Sequence, residues 1–474
     1  MLSLTTDHSL NDGQLEKVWN RINSSGEQTP PYSIQPEISE TTDFESALRD
    51  TVVDDVIVMA VISINMVEMA MNFYFSSIVK FNITNLIYIS VDHESCDYVM
   101  ARRADVNFRC HVFREDDEHV KLTMFDNSGV FARRTNIKPL AAYAILSHGY
   151  EVLITDLDIV YLKNPISYIK RLCKESDCDM AIQMDVHEYN SGFLYARPTT
   201  STMAVYNRTL QWSKMISAID QECFNNALKD LKNSTAPRIV KLKSDEFPSG
   251  KIAFPGQSCP SKSFLNKVYI VHGNWLRFHE DKIHRFKDCL LWDYDGDDGY
   301  YSNPERRYVT FVNHVMSKDL TPTLLNLFAI GQILNRTAIL PKVIKKGRKD
   351  IVNSWRLLKG KVFQHGAFDK ATGNNYRFGK FLRHRLVPDE VNSSLSAVYS
   401  FDPDCCQGDH DTVILTPRDQ ERGPTVKDIQ DWFGREHYAV LRLKPLIKRY
   451  ENLDYENILS RDLYNILMYK RLDV

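Results

Sequence analysis

Residues 150–165 read Tyr-Glu-Val-Leu-Ile-Thr-Asp-Leu-Asp-Ile-Val-Tyr-Leu-Lys-Asn-Pro, and this stretch is the most informative part of the sequence. Its apolar centre, Val152-Leu153-Ile154, contains β-branched residues and predicts a short buried strand. Two carboxylates, Asp156 and Asp158, follow where that strand leaves the core. If the chain stays extended there, the alternation of side chains puts both carboxylates on the same side.

Two carboxylates held in this way suit a hard divalent cation, Mg²⁺ or Mn²⁺, with coordination positions left for phosphate oxygens. The pair therefore indicates a site for a nucleoside diphosphate. The alternative is a strand end with two solvated aspartates, because an isolated Asp-x-Asp is a weak motif.

Further motifs follow the same order along the chain as those of one known family. They are Lys138-Pro139, Gly149-Tyr150, Asp156-Leu157-Asp158, Asn164-Pro165, Asn190-Ser191-Gly192-Phe193, Arg197-Pro198, Asp220-Gln221 with Asn225, His272-Gly273-Asn274-Trp275, Lys282 and Trp292. In this order they resemble the nucleotide-diphospho-sugar transferase family of GT-A glycosyltransferases, which includes plant cell-wall xylosyl- and arabinosyltransferases. The resemblance covers roughly residues 54 to 300. One motif alone would be weak, but the ordered set is specific.

The resemblance implies an α/β fold, with a mainly parallel sheet and flanking helices. It also implies transfer of a sugar from a UDP-sugar donor to a hydroxyl of a glycan or glycoprotein acceptor, with retention of configuration. The metal, Mn²⁺ or Mg²⁺, would be held by Asp156, Asp158 and His272. The donor would be bound by Asp156, Lys138, Ser191, Gly192 and Lys282. The candidates for catalysis are Asp185, Asn190, Asp220 and Gln221.

Each of these roles has a structural alternative. A single histidine after a strand, such as His272, is more often structural than a ligand. Lys282 fits a solvated helix lysine equally well, and Lys287 could reach the phosphates in its place. Asn190-Ser191-Gly192 would be an ordinary turn without the resemblance. The family tends to have glycine where Phe278 stands, so the shape of that loop is open.

Strand and helix signals alternate through the first half of the chain. Residues 85–91 predict a strand, and Ile137–His148 predict a helix with Pro139 in its first turn and Gly149 as terminator. Residues 180–184 and 192–196 predict short strands, and residues 268–271 another, before His272. Such alternation indicates a mainly parallel sheet, whose ligands bind beyond the carboxyl ends of the strands.

Length and composition agree with a two-domain enzyme. The chain has 474 residues, more than a usual single core, and is 43% hydrophobic and 25% charged. Its net charge of −2 gives no sign of a nucleic-acid binder. The nine cysteines include no Cys-x-x-Cys pair, which argues against a zinc site, and their odd number leaves at least one thiol free.

We expect three regions. Residues 1–50 are polar and predict a disordered or loosely packed N-terminal arm without a signal peptide. Residues 51–300 would form the transferase domain, and residues 305–474 an accessory α/β domain. Residues 56–75 contain Asn65, Glu68 and Asn72, so they favour a strand and a helix over a membrane span.

The resemblance favours the Golgi or secretory lumen as the location, and six Asn-x-Ser/Thr sequons support it. The cytoplasm stays open as a location because this chain shows no signal or anchor.

The C-terminal region gives weaker signals. Thr321 as cap and Pro322 at the first helical position predict a helix, followed by Asn335-Arg336-Thr337 and a strand at residues 338–340. This pattern resembles the opening of a Rossmann-like half of O-fucosyltransferase-type enzymes. The basic residues Lys345, Lys346, Arg348 and Lys349 indicate a solvated face. Residues 438–443 and a helix after Pro445 would complete the α/β structure.

Two rival functions come from other classes. A phosphatase of the HAD type also places Asp-x-Asp after a strand, but its motif continues with Gly-Thr, and here Ile159-Val160 follow. A catalytically inactive nucleotide-sugar-binding or scaffolding protein is the better alternative, because Phe278 departs from the family pattern. The acidic stretch 293–299 does not fit a calcium loop, since its sixth residue is Asp298 and its twelfth is Pro304.

Overall fold

The computed structural model describes residues 41–104, 106–113, 137–215, 218–231, 236–255, 258–276, 279–312, 315–316, 319–344, 351–352, 365–402, 411–446 and 449–469. Phe278, the basic residues 345–349 and the first 40 residues lie outside these ranges. The predicted boundary at residue 50 falls inside a helix, α1 (Thr41–Thr51), whose Phe44 and Leu48 are buried.

A mixed sheet of seven strands forms the centre of the first region. Its strands are β1 (Val56–Ile62), β2 (Leu86–Ser90), β3 (Arg109–Val112), β4 (Glu151–Thr155), β6 (Met180–Asp185), β7 (Glu188–Ala196) and β8 (Ile239–Leu242). Their order in the sheet is β3-β2-β1-β4-β7-β6-β8. All neighbours are parallel except those of β7, which runs antiparallel to β4 and β6. The predicted mainly parallel α/β sheet is confirmed.

The residues of β1 and β4 explain why these two strands lie at the centre of the sheet. β1 reads Val-Ile-Val-Met-Ala-Val-Ile and β4 contains Val152-Leu153-Ile154, so both present apolar side chains to both faces of the sheet. Such continuous apolar runs are typical of parallel strands covered by helices on both sides. The segment after Asp158 does not extend β4. It forms a separate strand, β5 (Ile159–Tyr161), paired antiparallel with β9 (Ile270–His272).

Helices cover this sheet and connect its strands. They are α2 (Val67–Phe73), α3 (His93–Ala101), α4 (Ile137–Ser147), α5 (Ile166–Glu175), α6 (Thr200–Met215), α7 (Asp220–Asp230), α8 (Gly250–Ala253), α9 (Lys262–Leu265) and α10 (His279–Asp288). α4 is the helix predicted over residues 137–148, and Gly149 follows it with a left-handed φ of 85°. Asp92, which follows β2, caps α3 by accepting a hydrogen bond from the amide of Ser95.

The hairpin of β6 and β7 is irregular where it reaches the carboxylates. Ile182 pairs with Leu194, whereas Met184 pairs with Tyr189, so residues 190–193 of β7 lie opposite the single residue Gln183. Asn190-Ser191-Gly192 lies inside β7, which begins at Glu188, four residues before the strand predicted at residues 192–196. Such an irregularity redirects side chains at a sheet edge.

The C-terminal region contains a second sheet of six parallel strands. They are β12 (Thr337–Ile339), β10 (Tyr308–Phe311), β15 (Tyr376–Arg377), β16 (Leu395–Ser400), β17 (Thr412–Ile414) and β18 (Val440–Leu443), in the order β15-β12-β10-β18-β16-β17. Three two-residue strands form a small third sheet: β11 (Val315–Met316), β13 (Val343–Ile344) and β14 (Ile351–Val352).

The helices of this region are α11 (Leu320–Ile333), α12 (His365–Thr372), α13 (Asp389–Ser393), α14 (Val426–Phe433), α15 (Tyr455–Ile458) and α16 (Arg461–Tyr469). The predicted cap of the first one is wrong, because α11 begins at Leu320 with Asp319 preceding it and Thr321 lies inside the helix. After Pro445, the helices within the described ranges begin only at Tyr455.

The two sheets share one apolar core. Tyr308, Ile339, Phe381 and Val440 from the C-terminal region pack in the same buried cluster as the side chains of β1, β2 and β9. Residues 40–474 accordingly form one compact unit. Two buried aromatic contacts join the regions directly, since Tyr301 stacks on Phe381 and on His384. Among the helices described, none combines the length and apolar character needed to cross a membrane.

Candidate active site

The loop between β4 and β5 holds both carboxylates, and strand pairing brings His272 to them. The amide of Asp156 donates to the carbonyl of Gly192 at 2.7 Å, which fixes the start of the loop against β7. Ile159 pairs with His272, and the amide of Gly273 donates to the carbonyl of Asp158 at 2.8 Å. His272 is the last residue of β9 and not the residue after the strand.

Asp156, Asp158 and His272 form a cluster that could hold a metal ion. One ligand atom from each residue lies within 4.8 Å of the others. His272 is 0% exposed and Asp158 is 5% exposed, whereas Asp156 is partly open to solvent. Two oxygens and one imidazole nitrogen are a donor set that Mn²⁺ accepts.

The imidazole of His272 has a hydrogen-bond partner at one ring nitrogen and none at the other. Its Nδ1 lies 2.8 Å from Oε1 of Gln183. Its buried Nε2 faces Oδ1 of Asp158 at 3.2 Å but makes no hydrogen bond with any residue that the structure describes. A buried polar atom without a partner is costly, so these residues fit a cation bound between Nε2 and the carboxylate.

Lys282 closes one side of the cluster. Its ammonium lies 2.8 Å from Oδ2 of Asp158 and extends from α10. Burial alone would raise the pKa of Asp158, but the charge of Lys282 opposes it, and the pKa lies well below its ordinary value. Lys287, the alternative to Lys282, instead packs its ammonium over Tyr300 at 4.3 Å and over Trp292 at 5.3 Å.

Lys138 closes the other side. Its ammonium bridges Oδ1 of Asp156 at 2.7 Å and Oδ2 of Asp220 at 2.8 Å. Burial disfavours the charge of Lys138, yet the two carboxylates raise its pKa above the ordinary value. Ser191 donates from Oγ to Oδ2 of Asp220 at 2.8 Å. The first turns of α4 and α7 and the strand β7 thus meet at Asp156.

Gly192 allows the carboxylate of Asp156 to lie against the backbone of β7. A Cβ on this residue would lie 2.1 Å from Oδ2 of Asp156 and 2.9 Å from Oδ1 of Asn190. Asn190 is buried, and its Oδ1 accepts from the amide of Gly192 at 2.7 Å. Asn190 therefore shapes this segment of β7 beside Asp156.

Two predicted residues make contacts away from this cluster. Asp185 accepts a hydrogen bond from the indole nitrogen of Trp275 at 2.7 Å, at the exposed end of the β6–β7 hairpin. Gln221 lies in the first turn of α7, and its backbone carbonyl accepts from the side chain of Asn225 at 2.9 Å. Asn225 also pairs with both backbone groups of Tyr189, which fixes α7 against β7.

The sequence does not predict three further features of this site. Gln183 contacts His272 from a fully buried position, although sequence pattern only places it upstream of Asp185. Trp275 is 51% exposed beside Asp185. His279 has a buried Nδ1 without a partner among the described residues, and burial lowers its pKa to about 4. Gln183 and His279 belong to no motif with a fixed spacing, so only side-chain geometry places them here. Trp275 is part of the His272-Gly273-Asn274-Trp275 motif, but the motif does not indicate its contact with Asp185.

Part of the chain is similar to known proteins. Residues 82–286 match the family described as nucleotide-diphospho-sugar transferase. A UDP-D-xylose:L-fucose α-1,3-D-xylosyltransferase of Arabidopsis thaliana is 29% identical over 191 residues, which cover 35% of this chain and 51% of that protein. An arabinosyltransferase of the same plant is 23% identical, covering 54% of this chain and 62% of that protein.

The chain thus spans about half to three-fifths of the length of these relatives. Among solved structures, mouse xyloside xylosyltransferase 1 in its apo form is 11% identical with a TM-score of 0.32, covering 46% of this chain and 98% of that one. Residues 82–286, which include the carboxylate loop, β7 and His272, are thus similar to the nucleotide-diphospho-sugar transferase family, and this part of the chain has an α/β fold.

Proposed function

We propose that this chain is a metal-dependent glycosyltransferase. It moves a sugar from a UDP-sugar donor to a hydroxyl of a glycan or glycoprotein acceptor, with retention of configuration. The observation that carries the proposal is the cluster of Asp156, Asp158 and His272, with Lys138 and Lys282 at its edges.

The residues of the cluster suit a divalent cation and a diphosphate together. Asp156, Asp158 and His272 would hold Mn²⁺ or Mg²⁺, and the unpartnered Nε2 of His272 supports this set. When bound, such an ion stabilises the negative charge that develops on the departing diphosphate. Lys282 is the cation best placed to add to that stabilisation, because it is already directed at Asp158.

We propose that the remaining candidates act on the donor sugar or the acceptor. Lys138 and Ser191 hold Asp220, so this carboxylate keeps a fixed orientation for a sugar hydroxyl. Asn190 and Gly192 allow the backbone of β7 to lie close to the carboxylate of Asp156. Asp185, at the end of β6, would support positive charge on the transferred sugar, and Gln221 would contact the donor sugar or the acceptor hydroxyl.

The relatives suggest which substrates to test. The Arabidopsis xylosyltransferase is named for UDP-D-xylose, L-fucose and an α-1,3 product, and a galactosyltransferase of Dictyostelium discoideum, 24% identical over 207 residues, for UDP-galactose and a fucoside. We therefore propose a UDP-pentose or UDP-hexose as the donor and an α-linked product. Proton NMR of the anomeric signal tests retention, and a β-linked xylose or hexose would count against it.

Three disulfides support a secretory location. Cys96 pairs with Cys110, Cys173 with Cys178 and Cys259 with Cys289. Disulfides form and persist mainly in oxidising compartments. We therefore propose the Golgi or secretory lumen. Cys223 carries a buried free thiol, in keeping with the odd number of cysteines.

We propose that residues 305–474 serve packing as well as acceptor recognition. His284 and Lys282 lie on the same helix, α10, and His284 contacts Asp369 of α12 at 2.9 Å. The hydroxyl of Tyr376 donates to the same carboxylate at 2.7 Å. The C-terminal region thereby supports the helix that carries Lys282.

Hydrolysis of UDP-xylose, UDP-galactose and UDP-arabinose, with and without Mn²⁺, tests the proposal. We expect hydrolysis of at least one donor that requires the metal and is lost in Asp158→Asn. Binding of UDP and Mn²⁺ without hydrolysis or transfer of any of the three would instead favour the inactive nucleotide-sugar-binding protein. A folded wild-type chain that binds neither would contradict both.

A further inference from the structure

Gln183 lies behind the candidate metal ligand His272. It is 0% exposed, near the end of β6, at the point where residues 190–193 of β7 leave the regular ladder. Three groups contact its side chain: the imidazole of His272 and the backbone carbonyls of Phe247 and Pro248, which lie between β8 and α8. Gln183 therefore joins the site to the segment between β8 and α8.

The surroundings of Gln183 determine which way its amide points. Nε2 donates to the carbonyl oxygen of Phe247 at 3.2 Å and to that of Pro248 at 2.9 Å. If the amide were turned over, its oxygen would face two carbonyl oxygens and no donor. Because Nε2 is held in this way, Oε1 is the atom that faces Nδ1 of His272, at 2.8 Å.

The orientation of the amide in turn determines the tautomer of the imidazole. Oε1 can only accept a hydrogen bond, so Nδ1 of His272 must carry a proton. In the neutral imidazole, Nε2 then carries a free lone pair, and this nitrogen faces Oδ1 of Asp158 at 3.2 Å. Two electron-rich atoms at this distance favour a cation between them.

We infer that Gln183 is a positioning residue, which prepares Nε2 of His272 for a divalent cation. The inference rests on the proposed function, because it concerns the same metal site. Hydrogen-bond partners of metal-ligating histidines fix the tautomer and the ring orientation, and their loss weakens metal binding about 10- to 100-fold. Most such partners are carboxylates or backbone carbonyls; here a side-chain amide, itself held by two carbonyls, has that role.

A merely structural role is the alternative. Gln183 also fixes residues 247–248, so its replacement will lower the melting temperature whatever it does to His272. Two variants separate the roles. Gln183→Met keeps the length of the side chain but removes the acceptor, whereas Gln183→Glu keeps an acceptor for Nδ1 and loses the amide donors.

We would titrate each folded variant with Mn²⁺, without nucleotide, and measure free Mn²⁺ by electron paramagnetic resonance. We expect Gln183→Met to bind Mn²⁺ about 10- to 100-fold more weakly and Gln183→Glu to stay within about threefold of the wild type, although both melt at a lower temperature. Gln430→Met, on the exposed face of α14, is the matched control and should bind as the wild type does.

Nitrogen-15 NMR of the histidine rings gives a second measurement that needs neither metal nor activity. The signal of His272, assigned with His272→Asn, should show the tautomer with a proton on Nδ1, and Gln183→Met should shift it toward a mixture. Unchanged Mn²⁺ affinity and tautomer in Gln183→Met would overturn the inference and leave the proposed function intact. Equal losses in both variants would assign Gln183 a structural role. Failure of the wild type to bind Mn²⁺, alone or with UDP, would overturn the proposed function itself.

Discussion

Oδ2 of Asp158 lies 2.8 Å from the ammonium of Lys282, and both groups are almost completely buried. One partner comes from the loop after β4 and the other from α10, so this ion pair links two elements that are 124 residues apart. Removing one member of a buried ion pair is more damaging than removing both, because the remaining charge loses its compensation. The pair therefore couples the candidate metal site to the stability of the fold.

Asp158→Asn should abolish detectable Mn²⁺ binding and lower the free energy of unfolding by about 3 kcal/mol, since Lys282 is left without its partner. From sequence alone, Asp158 is a site residue whose loss changes stability little; its burial makes a stability change the expected result. Isothermal calorimetry and urea unfolding measure the two effects.

The double variant Asp158→Asn/Lys282→Met should recover part of the stability but none of the Mn²⁺ binding. The exposed Asp97→Asn is the control and should change neither quantity. Normal Mn²⁺ affinity in folded Asp158→Asn protein would remove Asp158 from the metal site.

Lys138→Met should destabilise the chain because the carboxylates of Asp156 and Asp220 would face each other without a cation. Breaking such a buried arrangement costs about 3 to 5 kcal/mol. Adding Asp220→Asn should restore a large part of the loss, since one negative charge is then absent. Urea unfolding of the single and double variants measures this coupling, and equal stabilities of the two would contradict the bridge.

Gly192→Ala should weaken metal binding with a small effect on stability. The new methyl group would lie 2.1 Å from Oδ2 of Asp156, and the flexible carboxylate is the group that can move. We expect Mn²⁺ affinity to fall about tenfold, as for other disturbances of ligand orientation.

Gly149→Ala is a control for which we expect the reverse pattern, a loss of stability without a loss of metal affinity. An added Cβ there meets nothing within 4 Å, but the left-handed φ of 85° makes alanine strained. Its stability should fall by about 1 kcal/mol with unchanged Mn²⁺ affinity. If both variants lost affinity equally, the effect of Gly192→Ala could not be assigned to Asp156.

The sequence predicts the local elements well, because these depend on residues close together, and the family motifs predict that Asp156, Asp158 and His272 lie near one another. The apolar run before Asp156 predicts β4, and the pattern from Ile137 to Gly149 predicts α4. The resemblance to the family predicts that His272 lies beside the two carboxylates, although His272 is more than one hundred residues away from them in the sequence.

The rest depends on contacts that leave no periodic signal. Nothing in the sequence around Gln183 indicates that its amide would reach His272, because the irregular pairing of β7 directs it there. The start of α11 at Leu320 is missed because Thr321-Pro322 is a common capping pattern, and here the helix begins two residues before Pro322. The sequence also does not predict the core shared by the two sheets, since this core joins strands more than two hundred residues apart.

Asp288 gives a pH-dependent prediction. Burial raises its pKa to about 6, against the opposing charges of Lys380 and Arg285. A raised folded-state pKa means that the folded chain binds more protons than the unfolded chain between about pH 4 and pH 6. The contribution of protonated Asp288 to stability is complete below about pH 4 and is lost as the pH rises through 6.

Asp288→Asn should therefore match the wild type near pH 4 and exceed it by about 3 kcal/mol at pH 8, from two pKa units at 1.36 kcal/mol each. Urea unfolding from pH 4 to pH 8 measures the difference between the two proteins. A constant difference across this range would show that the pKa of Asp288 in the folded chain is not raised.

A chain that ends at Asn303 tests the division between the two regions. By sequence alone it should keep UDP and Mn²⁺ binding, since every proposed ligand precedes residue 300. The shared core predicts a different result. Phe381 and Val440 pack in the cluster that covers the first sheet, and Asp369 holds His284 on the helix of Lys282. We expect the fragment to expose this apolar face and to aggregate.

Co-expression with residues 305–474 should restore a soluble species that binds UDP in the presence of Mn²⁺. The single variant Asp369→Asn, in the complete chain, is the milder test, because it weakens only the support of α10. It should lower UDP affinity, which depends on Lys282, more than the affinity for Mn²⁺ alone, which depends on the two carboxylates and His272. A soluble monomeric fragment with wild-type affinity for UDP and Mn²⁺ would show that the first region folds independently, and that the shared core contributes stability without positioning the site.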